Sequence, residues 1–146
     1  MLPLEVAIAP SLKSAGFKKK ARTWWRSRAA VIQVINIQKS AYGERLYINL
    51  GIYVKQFGTE QTPPENRCHV QARLERVSDP ARQPDVERAA SSTVPSAALV
   101  EAILTDGLAW LDRLSTLQGI RSYLEHGGAN KGLVLAAVRK LAAEAE

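Results

Sequence analysis

Two consecutive stretches of alternating residues, Val31–Ser40 (VIQVINIQKS) and Arg45–Gln56 (RLYINLGIYVKQ), constrain the fold of this chain more than any other feature. A period of two places alternate side chains on opposite faces of a strand. In Arg45–Gln56 the inward set is Leu46, Ile48, Leu50, Ile52 and Val54, and the outward set is Tyr47, Asn49, Gly51, Tyr53 and Lys55. In Val31–Ser40, Ile32 and Val34 share a face with Asn36, Gln38 and Ser40, while Val31, Ile35 and Ile37 share the other with Gln33. Both faces of that second stretch carry apolar residues, so its inward face stays open, and a bulge could swap the parity partway. Ala41-Tyr42-Gly43-Glu44 reads as a short hairpin connection.

The flanking segments extend this unit. Leu4, Ile8 and Leu12 recur every four residues, with Pro3 suited to a first turn and Gly16 to the position after the end, which predicts a short N-terminal helix. Phe17–Arg28 then alternates as one strand. It places Phe17, Ala21, Thr23 and Trp25 on one side and Lys18, Lys20, Arg22, Trp24, Arg26 and Arg28 on the other. Cys68–Val77 forms a fourth strand, with Cys68, Val70, Ala72 and Leu74 inward and His69, Gln71, Arg73 and Glu75 outward. Pro63-Pro64 excludes strand from the link before it. Ser78–Pro95 holds three prolines and reads as a long exposed connection. Three helical stretches follow. The first is Ala97–Leu114. The second opens on a capping box at Ser115-Thr116-Leu117-Gln118 and ends at Gly127-Gly128. Asn130 caps the third.

Strands in one half and helices in the other predict an α+β fold. The expected architecture is an N-terminal helix, then a four-stranded or larger antiparallel sheet, then about three helices packed on its apolar face. The chain fits a single domain, residues 1–146: helix and sheet over 1–77, the connection over 78–95 and a helical part from 96. The opposite sheet face is expected open, or covered only in part by the long connection or the last helix.

Hydrophobic and charged fractions of 46% and 23% exclude wholesale disorder. No apolar stretch approaches the ~20 residues of a membrane span, and Met1–Pro10 lacks the pattern of a secretory signal. With one cysteine, Cys68, an internal disulfide is impossible, and a cytoplasmic location with no membrane partner is expected. The net charge of +6 splits into +8 over residues 1–77 and −2 beyond, with seven cations and no acid from Lys13 to Arg28.

No phosphate loop, dinucleotide fingerprint, HExxH or nucleophile elbow is present, so no catalytic residue, metal site or cofactor is expected. His69 and Glu75, six residues apart on one strand, would stand roughly 20 Å apart and cannot pair. Cys68, pointing inward, reads as an inert buried thiol. His69 reads as a half-buried structural imidazole before it reads as a proton shuttle, and His126 suits a helix C-terminus. The candidate binding surface is the outward sheet face: Asn36, Gln38, Asn49, Tyr53, His69 and Arg73. Gly51 in mid-strand marks a close approach of another group, and an internal role for the same amides stays open.

Five segments in order carry a resemblance: Leu12-Lys13 with Gly16-Phe17-Lys18-Lys19-Lys20; Thr23-Trp24-Trp25-Arg26; Asn36-Ile37-Gln38-Lys39-Ser40; Asn49-Leu50-Gly51-Ile52; and Cys68-His69-Val70 with Arg73-Leu74. Over about residues 1–78 they resemble the bacterial family named domain of unknown function 4304. Ala21 stands where that pattern leads one to expect Gly. The resemblance implies an α+β bacterial protein without assigned activity, and brings no catalytic residues.

The expected function is therefore a non-enzymatic macromolecule-binding module with a protein partner, of which a toxin-neutralising or immunity-type protein is one version. One alternative is nucleic-acid binding through the basic strand, with Lys18, Lys20, Arg22 and Arg26 on phosphates and Trp24 stacking a base. Another is a small-ligand binder or enzyme on the polar sheet face. Tyr47, Tyr53 and Trp24 could also line a homodimer contact.

Overall fold

The computed structural model describes residues 1–43, 45–89 and 96–144. Helix α1 (Pro3–Ser14) buries Leu4, Ile8 and Leu12 and ends before Gly16, which takes a positive φ. Six strands follow among the described residues: β1 (Lys18–Lys20), β2 (Thr23–Ser27), β3 (Val31–Lys39), β4 (Leu46–Val54), β5 (Val70–Arg73) and β6 (Gly132–Val134). They pair antiparallel in the order β1-β2-β3-β4-β5-β6. Helices α2 (Leu74–Val77), α3 (Gln83–Ala89), α4 (Ala97–Ala102), α5 (Leu108–Arg113), α6 (Leu117–Glu125) and α7 (Ala136–Glu144) are the further α-helices among the described residues. A π-helical segment, Ile103–Gly107, joins α4 to α5.

The expected α+β class and the β3–β4 ribbon hold. β3 pairs with β4 from Val31↔Val54 to Lys39↔Leu46 with no bulge. Helices cover one face of the sheet. There Leu50, Ile52, Ile35 and Val70 join Leu4, Ile8, Leu99, Leu111 and Leu114 in the main core.

The basic segment differs from the expected single strand. It folds back at Ala21-Arg22 into a hairpin that pairs Lys19 with Trp24 and Lys20 with Thr23. Paired residues share a face, so the turn inverts the parity of everything after it. Trp24, expected outward, is 1% exposed in the main core, and Arg26 is 8% exposed beneath the helices. Trp25 moves to the opposite face. Ala21 makes the turn with φ +52°, the conformation for which Gly is the usual residue.

Four further expectations are corrected. The fourth strand stops at Arg73, and α2 takes Leu74–Val77, which removes Glu75 from the sheet. The expected open connection contains α3, whose Val86 is buried; its residues 90–95 lie outside the described ones. Thr116, not Ser115, caps α6 by accepting from the Gly119 amide, so the third helical residue is Gly119 and the Gln118 box does not form. Asn130 precedes β6 rather than capping α7.

The second sheet face is half covered, and by a different segment than expected. The link between β4 and β5 folds back over it. Pro63 is buried, its carbonyl accepting from Trp25 Nε1 at 2.7 Å. Cys68 joins Ile32, Val34, Tyr53 and Trp25 in a second, smaller apolar cluster. This explains why β3 is apolar on both sides: Val31, Ile35 and Ile37 lie under helices, Ile32 and Val34 under the loop. Gly51 is the seat of that loop, since a Cβ there would lie 2.6 Å from Cys68 Sγ and 2.9 Å from Cys68 Cβ.

Candidate functional site

Beyond the edge of the loop the second face stays open and polar. The strand register sets Thr23, Asn36, Asn49 and Arg73 side by side across β2, β3, β4 and β5. Asn36 Nδ2 donates to Thr23 Oγ1 at 2.9 Å. Asn49 Nδ2 donates to Asn36 Oδ1 at 3.2 Å and to Gln38 Oε1 at 3.0 Å. The three amides thus orient one another, which fixes where their remaining atoms point. Among the described residues, no group bonds Gln38 Nε2 or Asn49 Oδ1. Gln71 Nε2 donates to the Cys68 carbonyl at 2.9 Å. Arg73 stacks on the Tyr47 ring, 4.0 Å from its centroid, with Arg45 at 5.3 Å from the same ring.

Two adjoining hollows, about 240 and 310 Å³, share Gln38, Asn49 and Glu65 and together form a groove along this ladder. Glu65 belongs to the covering loop, in a short turn after Pro63-Pro64. Burial pushes its carboxyl above the ordinary 4.5, an effect the Arg73 charge partly offsets. Among the described residues, none forms a hydrogen bond or ion pair with the Glu65 carboxylate. The groove therefore offers an amide donor, an amide acceptor, a cation and a half-buried carboxyl. Together these are hydrogen-bonding groups of both senses beside one positive charge.

Asn36, Gln38, Asn49 and Arg73, singled out from the sequence, come together here. Tyr53 and His69 do not. Tyr53 is 4% exposed under the loop, and its hydroxyl accepts from the Glu60 amide at 3.3 Å. His69 Nδ1 accepts from the Val54 amide at 2.9 Å, and its ring packs between Tyr53 and Phe57 at 4.7 and 5.3 Å. Burial lowers its pKa from the ordinary 6.5, with Glu60 acting the other way. Cys68 is buried and its thiol is pushed up by burial and by Glu65 and Glu60, so it stays protonated.

The profile of the family described as Domain of unknown function (DUF4304) matches residues 8–113. The chain belongs to the DUF4304 family. The matched span runs from α1 to α5, so it holds β1–β5, the covering loop and all of the groove except its β6 side. No curated protein and no solved structure matches the chain.

In this DUF4304 chain the basic segment divides between the two faces. Lys18, Lys20 and Arg22 are exposed. Lys19 pairs with Glu5 at 3.0 Å, and Lys18–Lys20 form the sheet edge, where lysines discourage pairing with another chain. Arg26 is held beneath the helices by three hydrogen bonds, Nε to Gln33 Oε1 at 2.7 Å and the guanidinium to the Ala15 carbonyl at 2.9 Å and to Asp112 at 2.5 Å, and is stacked 4.4 Å from Phe17. With Trp24 and Tyr53 in the interior, Tyr47 alone of the three aromatics named for a dimer contact faces the groove side.

Glu65 and Gln71 are among the groove residues that sequence reasoning missed. Gln71 had the right parity but no motif. Glu65 sits in a link whose shape no local pattern specifies. Its signal was indirect: the link is longer than a hairpin needs, and Gly51 implied that something lies on the sheet. No described helix is long and apolar enough to cross a membrane.

Proposed function

We propose that this protein is a recognition module without catalytic action of its own, and that the groove receives an extended polar segment of a protein partner. The observation that carries this reading is the contrast within one sheet face. Its apolar half is closed by the chain's own loop, whereas the other half lines a groove with Gln38 Nε2, Asn49 Oδ1, the Glu65 carboxyl and Arg73, Asn49 being 6% exposed at that lining, and among the described residues the two amide atoms and the carboxyl have no hydrogen-bond partner. Polar atoms held in fixed positions by neighbours lose little freedom on binding, which favours specificity. Neutralising a toxin by occupying one of its surfaces is the narrowest version of this role.

The test uses the intact chain and the Gln38→Ala/Asn49→Ala variant as baits, with crosslinking in native lysate of the source cell. A partner captured by the first and at least about tenfold depleted on the second supports the reading, because interface energy concentrates in few buried contacts. A partner set identical on both baits counts against it.

One observation favours a second reading. A half-buried carboxyl with a raised pKa is also what proton transfer to a bound small molecule requires. Under that reading Glu65→Gln abolishes turnover while leaving ligand affinity nearly unchanged. Under the first, the same variant changes affinity alone.

A further inference from the structure

On the other side of the covering loop lies a cleft of about 480 Å³, within the range of small-ligand sites. It is distinct from the amide groove. On β2, Thr23 lines the groove, while Trp25 and Ser27 line the cleft, and Pro63 sits on Trp25 between them. The apolar part of its lining is half-buried Trp25, with Ile32, 4% exposed, behind it. The indole is pinned, because its Nε1 donates to the Pro63 carbonyl, so its ring keeps a set orientation at the cleft.

The rest of the cleft is polar and positive. Lys18 and Arg28 are exposed at its lining, and among the described residues neither has an ion-pair partner. No described Asp or Glu lines it. Arg28 is close enough to act on Arg26, lowering its pKa by like charge after the larger effect of burial. Lys55, bonded to Ser27 Oγ at 2.7 Å and to the Arg28 carbonyl, adds a further cation behind the rim. Thr62 and Gln61 supply bonding groups opposite.

We propose that this cleft binds a nucleoside phosphate, its base against Trp25 and its phosphate between Lys18 and Arg28. A bare anion would leave the pinned ring unused, and a neutral aromatic would leave two cations uncompensated. A ligand joining a flat ring to a phosphate satisfies both halves at once. The same chemistry reaches the cleft either as a free mononucleotide or as one unit of a single strand.

Titration calorimetry and tryptophan fluorescence at low salt test this with three probes: AMP, inorganic phosphate and a short single-stranded oligoribonucleotide. AMP should bind and quench fluorescence. Lys18→Ala/Arg28→Ala should weaken it at least about tenfold, since both side chains serve the phosphate. That variant removes exposed side chains without described partners, and an unchanged melting curve confirms its fold. Gln38→Ala/Asn49→Ala should bind AMP like the parent. An oligoribonucleotide that binds many-fold more tightly than AMP, with salt dependence reduced in the double variant, assigns the source to a strand; equal affinities assign it to the free nucleotide. Absence of AMP binding, phosphate binding as tight as AMP, or affinity unaffected by Lys18→Ala/Arg28→Ala would each overturn the proposal.

Discussion

Gln33 and Gln38 stand five residues apart on β3 and face opposite sides of the sheet. Gln33 is 0% exposed and fully engaged. Its Oε1 accepts from Arg26 Nε at 2.7 Å, and its Nε2 donates to the Leu111 carbonyl at 2.8 Å. Gln38 is exposed and half engaged, its Oε1 taken by Asn49 and its Nε2 turned to the groove. The same side chain on the same strand thus serves two ends. Under the helices it closes a network that lets Arg26 be buried; on the open face it holds a ladder in place and keeps capacity for a visitor. Residue type did not separate a structural amide from a candidate contact. Unsatisfied valence did.

The sharpest way to break this comparison is to unseat the loop that divides the second face. Gly51→Val would drive side-chain atoms into Cys68, and overpacking of this kind costs about 3 kcal/mol. The expected result is a large loss of denaturation midpoint, with the cluster of Ile32, Val34 and Tyr53 exposed to dye. A midpoint equal to the parent's would mean the loop does not lie where the structure puts it.

Next in size is the pair itself. Gln33→Ala leaves the Arg26 Nε–H and the Leu111 carbonyl without partners in the interior, a loss of about 2 kcal/mol. Gln38→Ala acts at an exposed position and should stay within about 0.5 kcal/mol. Equal losses in urea denaturation would erase the distinction between the two faces.

A pH series tests the covered half. His69 is held neutral, its folded pKa below the unfolded 6.5, so the unfolded chain binds more protons as pH falls below about 6.5. Stability contributed by the neutral ring is present above that value and is lost on acidification towards the folded pKa, with a slope of at most about 1.4 kcal/mol per pH unit. His69→Asn, which can still accept from the Val54 amide, should lack this slope. An identical slope in both proteins would assign it to other groups.

The smallest effect concerns Glu65. Its folded pKa lies above the unfolded value, so ionisation as pH rises through 4.5 disfavours the folded state. Glu65→Gln should therefore raise the melting temperature modestly at neutral pH and not at pH 3. A lower melting temperature at neutral pH would show that the carboxylate has a stabilising partner, and would remove Glu65 from the open groove.

Much of this was legible along the chain. The β3–β4 ribbon, the N-terminal helix and the outward placement of Asn49 and Arg73 follow from period alone; Asn36 and Gln38 join them only through the register of β3 on β4. The hairpin at Ala21-Arg22 did not, because Ala in a positive-φ turn carries no signal that Gly would have given. One missed two-residue turn put Trp24 and Arg26 on the wrong face, and with them the expected stacking surface. Strand β6 was hidden because three residues, Gly132–Val134, are too few to show a period.

Periodicity by itself determined the class of fold, the inward stripe of β4 and the residues carried on its other side. Those are local matters, set by backbone geometry within a few positions. Which part of that other side stays accessible was decided only in three dimensions. The link between β4 and β5 folds onto Gly51, and its path depends on Trp25, Pro63 and Cys68 meeting across dozens of residues, a non-local condition that no window of sequence contains.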